Sequence, residues 1–241
     1  MQPLTIILGC EESQAVCIEF RKRGHNAFSC DLKPCSGGHP EWHFQMDVFK
    51  AIAGGMLVTQ SGELVEIKKW DRGIFFPTCT YLTLSANTWY EDQPPLKSGA
   101  LVGAARREAR RKAIEFFMAL ANCNIPKTAI ENPLGVMSTE WRKPDQIIQP
   151  YYFGDEARKP TCLWLKNLPK LYHTKTQTLF DSPTHVSQGE SLEWIDKKTG
   201  KKKRQPKWYA MAKQGSSLEI RSGIRSKTFN GIAEAMANQW G

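Results

Sequence analysis

No apolar stretch in this 241-residue chain approaches the roughly 20 residues that cross a bilayer, so a membrane partner is not expected. No secretory leader opens it: Met1-Gln2-Pro3 leads directly into a short strand-like run. No internal repeat is visible, which removes solenoids and propellers. There is no Gly-x-Gly-x-x-Gly loop. The first glycine turn reads Gly9-Cys10-Glu11-Glu12-Ser13, which weighs against a dinucleotide. Cysteines number seven, an odd count, and several lie inside apolar runs, where a reduced thiol behaves as a small hydrophobe. A reducing, cytoplasmic setting is the expectation.

What is present has the make-up of a globular protein rather than a disordered one: 41% hydrophobic and 24% charged residues. The length suits one substantial core with a small addition. The net charge of +9 favours a polyanionic partner.

The chain opens as strand, loop, helix, strand: an apolar run over residues 4–8, a helical spacing over 11–23 closed by Gly24, and a second run from Asn26 to Cys30 ending at Asp31. That order begins a parallel α/β sheet. Further short strands are expected at 74–76, at 128–130 ending on Glu131, and at 163–165. Residues 80–95 read as loop. Residues 99–122 read as the best helix, with Ala105, Ala109, Ala113, Phe116, Phe117 and Leu120 as its apolar stripe and Arg106, Arg107 and Arg110 off it. From 171 to about 220 the composition turns polar and strongly basic, with strands expected at 191–195 and 208–211. A short helix over 232–240 closes the chain.

Three places carry chemistry. Gly9 lies in the first strand-to-helix turn and Asp31 ends the next strand, a pattern in which a ligand lies at the carboxyl ends of the strands and an acid holds ribose hydroxyls. Asp47, after a further loop, is within reach of an adenine. Cys79 follows Pro77 and Thr78 at the mouth of an apolar run, in a loop rich in hydroxyls and aromatics. Glu131-Asn132-Pro133 leaves a buried strand at the same edge. A thiol and a carboxylate so placed suit attack on a nucleobase: the thiolate adds to carbon 6 of cytosine while an acid protonates nitrogen 3, turning carbon 5 into a nucleophile. Each of the three, alone, also fits a purely structural role.

A fourth feature is the basic stretch Lys197, Lys198, Lys201, Lys202, Lys203, Arg204 and Lys207, flanked by Trp194, Trp208 and Tyr209, which suits phosphate contact and stacking. A fifth, Cys30, Cys35, His39 and His43, has zinc-like spacing. Cys30 is a strand residue pointing away from the Asp31 side, so no metal is expected.

Taken in order, these motifs resemble the cytosine-5 DNA methyltransferase family. Leu8-Gly9-Cys10 resembles its cofactor-binding first motif, Met46-Asp47-Val48 its adenine-contacting segment, Pro77-Thr78-Cys79 its Pro-Cys motif and Glu131-Asn132-Pro133 its Glu-Asn-Val motif. Residues 225–231, with the closing helix, resemble its final motif. Thr78 stands between the proline and the cysteine, and Thr80 where glutamine is usual. More narrowly, the chain is similar to small methyltransferase-like proteins of bacteriophage genomes, through the Cys-Thr-Tyr-Leu loop, the Glu-Asn-Pro-x-Gly segment and Cys162-Leu163-Trp164-Leu165-Lys166.

The resemblance implies a Rossmann-like α/β methyltransferase domain formed by residues 1–170 and 221–241. A small basic β-rich insertion, 171–220, would act in target recognition. It implies S-adenosylmethionine held by Gly9, Glu12, Asp31, Asp47 and Pro77, with Cys79 and Glu131 catalytic. It also implies a flipped cytosine of duplex DNA contacted by Thr78, Asn132, Pro133, Arg158, Lys201, Lys202, Lys203 and Arg204, in a bacterial or phage-infected cytoplasm. Two alternatives stay open: the same chemistry on a free cytosine nucleotide, and a catalytically inactive nucleic-acid-binding or anti-defence protein. Amino-group methylation is disfavoured by the absence of an Asp/Asn-Pro-Pro-aromatic loop.

Overall fold

A computed structural model describes residues 2–84, 87–177, 182–197, 199–211 and 227–241. Lys198 and the Arg225-Ser226 start of the final motif lie outside the described residues. The core is a seven-stranded sheet in the order β3-β2-β1-β6-β7-β9-β8. Its strands are β1 (Thr5–Gly9), β2 (Asn26–Asp31), β3 (His43–Gln45), β6 (Arg72–Phe75), β7 (Thr128–Pro133), β8 (Gln146–Ile148) and β9 (Thr161–Lys166). The five strands from β3 to β7 run parallel, and β9 is antiparallel to both of its neighbours. This is an α/β architecture with a mostly parallel sheet covered by helices.

Alternation along the strands sorts the side chains into two cores. Ile6, Leu8, Ile74, Ala129 and Leu163 face one side, where α1 (Ala15–Lys22) and the closing helix α6 (Asn230–Trp240) bury Val16, Phe20, Ile232, Met236 and Trp240. Ile7, Phe75, Ile130, Cys162 and Trp164 face the other, against Phe117 and Leu120 of α3 (Gly103–Ala121) and the short α2 (Val48–Ile52). Two small hairpins lie outside the sheet: β4 (Gly55–Val58) with β5 (Leu64–Ile67), and β10 (Ser191–Ile195) with β11 (Lys202–Pro206). Short helices α4 (Met137–Glu140) and α5 (Lys207–Met211) also occur among the described residues. Among the described residues no helix is long and apolar enough to cross a membrane.

Three local expectations change. The first helix begins at Ala15, not at 11, because the buried Glu11 carboxylate accepts the amides of Val16 (2.6 Å) and Cys17 (3.2 Å). Residues before it are spent on a turn that places Gln14 at φ 59°. The strand expected at 208–211 is helical, and the second strand is instead Lys202–Pro206. There Arg204 pairs across from Glu193, and Pro206 ends the ladder. On α3, Ala105 is exposed whereas Arg106 is only 4% exposed. The Arg106 guanidinium sits 4.8 to 5.4 Å from the ring centres of Tyr90, Trp89 and Tyr81, an aromatic box that covers its charge.

Candidate active site

The parallel strands deliver every chemistry-bearing residue to one edge. β1 ends at Gly9, β2 at Asp31 and β6 at Phe75, from which Phe76-Pro77-Thr78-Cys79 continues outward. The last three residues of β7 are Glu131, Asn132 and Pro133. β2 and β6 flank β1 on opposite sides, so the crevice for a ligand falls at the carboxyl end of β1.

A small cavity of about 110 Å³ opens there, lined by Cys79, Glu131, Asn132, Pro133, Glu12 and Lys159 among others. Thiol and carboxylate thus share one wall-to-wall space. Burial pushes Glu131 above its ordinary value, against the opposing pull of Lys159 and a hydrogen bond with Thr161. Asn132, 1% exposed, donates through Nδ2 to the Pro77 carbonyl at 2.7 Å. That bond ties the Cys79 loop to the Glu131 strand. A second clasp lies at Gly135: Val136 donates to the Leu82 carbonyl (2.8 Å), and a Cβ on Gly135 would stand 2.1 Å from that same oxygen.

The Cys79 loop is also fastened from α3. Arg110 donates through Nε to the Tyr81 carbonyl (2.9 Å) and through Nη2 to the Thr83 carbonyl (3.2 Å). Its guanidinium stacks 3.5 Å from the centre of the Tyr90 ring. Arg107 donates to the Tyr90 carbonyl at 2.6 Å.

Beside the small cavity lies a second of about 380 Å³, within the range of small-molecule sites. Asp31, Asp47, Thr78, Tyr81, Val48 and Phe116 line it, and Cys10 borders both cavities. Asp31 Oδ1 accepts the Lys33 amide (2.9 Å), and Asp47 Oδ1 accepts those of Phe49 (2.9 Å) and Lys50 (3.3 Å). Among the described residues, the second oxygen of each carboxylate accepts no hydrogen bond.

A groove of about 470 Å³ reaches the site from outside, between Arg158, Lys159 and Pro160 on one side and Arg204, Trp208 and Tyr209 on the other. It also touches Cys79 and Pro133.

The sequence-derived candidates therefore divide. Cys79, Glu131, Asn132 and Pro133 are together, and Asp31 and Asp47 are together. Glu12 falls in the small cavity rather than with the two aspartates, and Thr78 faces the larger cavity rather than the smaller one. Gly9 and Pro77 line neither. Gly9 answers to packing, since a Cβ there would meet the Phe75 ring at 2.5 Å, and Pro77 contributes its carbonyl to Asn132. Arg158 and Arg204 line the groove, whereas Lys201, Lys202 and Lys203 line none of the three spaces. Lys202 pairs with Glu193 (2.7 Å) and Lys203 with Asp196.

Residues missed from the sequence are Cys10 and Tyr81 as cavity walls, and Arg110 and Gly135 as fasteners of the thiol loop; Lys159, a weak candidate from the sequence for a basic group beside the base, lines the small cavity. The glycine in Glu-Asn-Pro-x-Gly was the one available signal for Gly135. In the zinc-like array, His43 is fully buried with Nδ1 on Ser29 Oγ (2.8 Å) and Nε2 on the Lys33 carbonyl (2.9 Å), while His39 stacks on Trp42. Among the described residues no group of three or more metal-ligating side chains is gathered. No protein-family model matches this sequence, and no curated protein matches it either.

Proposed function

We propose that the protein is an S-adenosylmethionine-dependent methyltransferase acting on carbon 5 of cytosine in DNA, built on a Rossmann-like domain with the basic segment 171–220 as a target-recognition element. The observation that carries this reading is the adjacency of two cavities of unequal size: a small one walled by Cys79 and Glu131, and a larger one edged by Asp31 and Asp47, with Cys10 between them.

The larger cavity suits the cofactor. Its two carboxylates match ribose hydroxyls and an adenine amino group, and Val48 and Phe116 offer apolar surface to the rings. When bound, the cofactor supplies an electrophilic methyl group for carbon 5. The protein's own residues do the rest. Cys79 adds through sulfur to carbon 6 as Glu131 gives its proton to nitrogen 3, which makes carbon 5 an enamine carbon. Burial raises the Glu131 pKa, the direction that a proton donor needs. Glu131 takes the proton back once carbon 5 is alkylated, and transfer of the carbon 5 proton to water then expels Cys79 as the thiolate that began the cycle. Asn132 holds the two halves of the site in register through Pro77. A cytosine reaches so small a space only when turned out of the base stack.

Incubation of cytosine-containing DNA with the protein and S-adenosylmethionine, followed by mass spectrometry of the nucleosides, tests the reading. It expects 5-methyldeoxycytidine from wild type and none from Cys79→Ser; an unmodified nucleoside pool with wild type overturns it.

A further inference from the structure

We propose that the groove between residues 158–160 and 204–209 seats the nucleotide next to the target base, and that the strand it takes is single-stranded DNA. The position of the groove carries this first: it touches Cys79 and Pro133, so whatever occupies it is contiguous with a base in the small cavity. The register rests on the proposed reaction; the binding does not.

Its chemistry is that of a stacking platform rather than of a phosphate track. Trp208 and Tyr209 line it, and every base presents a π face to such rings. Trp208 is set in place beforehand. Its indole N–H donates to the Arg158 carbonyl (3.2 Å), and it packs edge-on against Phe229 and Tyr209 at 5.3 and 5.6 Å between ring centres. A ring already ordered costs little to use.

Charge points the same way. A duplex is gripped through many phosphates along a basic face, but four of the cations in this segment, Lys202, Lys203, Arg204 and Lys207, face acids within it, while among the described residues Lys197 and Lys201 do not. Lys202 and Lys203 have their acids, Lys207 pairs with Glu190 (2.6 Å), and Arg204 lies 3.9 Å from Glu193. Among the described residues Arg158 and Lys159 carry no ion pair, and both stand at the groove. Three cations, of which Arg204 leans on Glu193, and two aromatics beside a volume of about 470 Å³ match one nucleotide and its flanking phosphates, not the width of a double helix.

The probe is a short fluorescent oligothymidylate, alone or annealed to oligodeoxyadenylate, with binding read by anisotropy across a salt series. It holds no cytosine, so chemistry does not enter. The single strand is expected to bind at least about tenfold tighter than the duplex. Trp208→Ala is expected to weaken it about tenfold, the scale of one lost stacking contact. Arg158→Gln, at an exposed side chain, is expected to lower the salt slope by about 0.7. If Trp208→Ala does not fold, Arg158→Gln decides alone. Equal or tighter duplex binding, or single-strand binding unchanged in the variants that fold, overturns the proposal. Binding of this pattern without any cytosine modification leaves the groove standing and removes the reaction. Methylation of free deoxycytidine monophosphate as fast as of an oligonucleotide leaves the reaction and removes the groove.

Discussion

The carboxyl edge of the sheet and the hairpin over 191–206 face the same groove but are held by different forces. At the sheet edge, Cys79 and Glu131 extend from strands whose neighbours Ile74, Phe75, Ala129 and Ile130 are at most 2% exposed. The two loops are clasped by Asn132, Gly135 and Arg110. The hairpin has Leu192, Trp194 and Ile195 exposed, and its strands are braced by surface ion pairs, each worth little in water. The proposed chemistry, which demands fixed geometry, falls on the better-packed side.

That contrast fixes the order of expected effects. Cys79→Ser is the most damaging: product formation drops by roughly 10³-fold or more, the scale of losing a nucleophile, while cofactor binding by equilibrium dialysis is unchanged. Glu131→Gln follows, with a loss of about 10²- to 10⁴-fold in kcat. The pH profile gives its signature. Burial raises the Glu131 pKa, so the proton it must donate is present at low pH and lost as pH rises through the raised value. Wild-type rate therefore falls on that alkaline limb, and the Gln variant lacks it. A variant that keeps the limb breaks the assignment of Glu131 as the acid.

Gly135→Ala attacks the clasp rather than the chemistry. A methyl 2.1 Å from the Leu82 carbonyl drives the loops apart, and thermal denaturation is expected to register about 1–3 kcal/mol of destabilisation, with a fall in turnover. Glu193→Ala, on the hairpin, is the smallest. Removing the partner of Lys202 is expected to leave the melting temperature and turnover on a mononucleotide essentially unchanged. A large loss there would mean that the hairpin is part of the stiff framework after all.

Much of the sheet was readable in advance because parallel strands buried on both faces are short apolar runs, and the residue ending each run is by construction at the ligand edge. Asp31, Cys79 and Glu131 were found in this way. What was not readable depends on contacts between distant segments. Arg106 sits in a polar stretch of helix, and nothing local says that Tyr81, Trp89 and Tyr90 fold over it. Gly9 carries the mark of a ligand-approach glycine, yet the atom that demands it belongs to Phe75 on the neighbouring strand. Nor does the run of lysines at 201–203 show that Lys202 pairs with Glu193 and Lys203 with Asp196 across the hairpin. Cys10 was read as part of a turn and borders both cavities because its backbone takes the left-handed conformation, φ 61°.

The claim that Cys79 and Glu131 form one base-attacking site is tested most directly by a trap. An oligonucleotide with 5-fluorocytosine as its target has no proton at carbon 5 to lose, so a sulfur bond to carbon 6 formed during methylation cannot be released. With S-adenosylmethionine present, a covalent protein–DNA adduct is expected, mapped by peptide mass spectrometry to Cys79, absent in Cys79→Ser and much slower in Glu131→Gln. No adduct with wild type, or one that persists in Cys79→Ser, would contradict it.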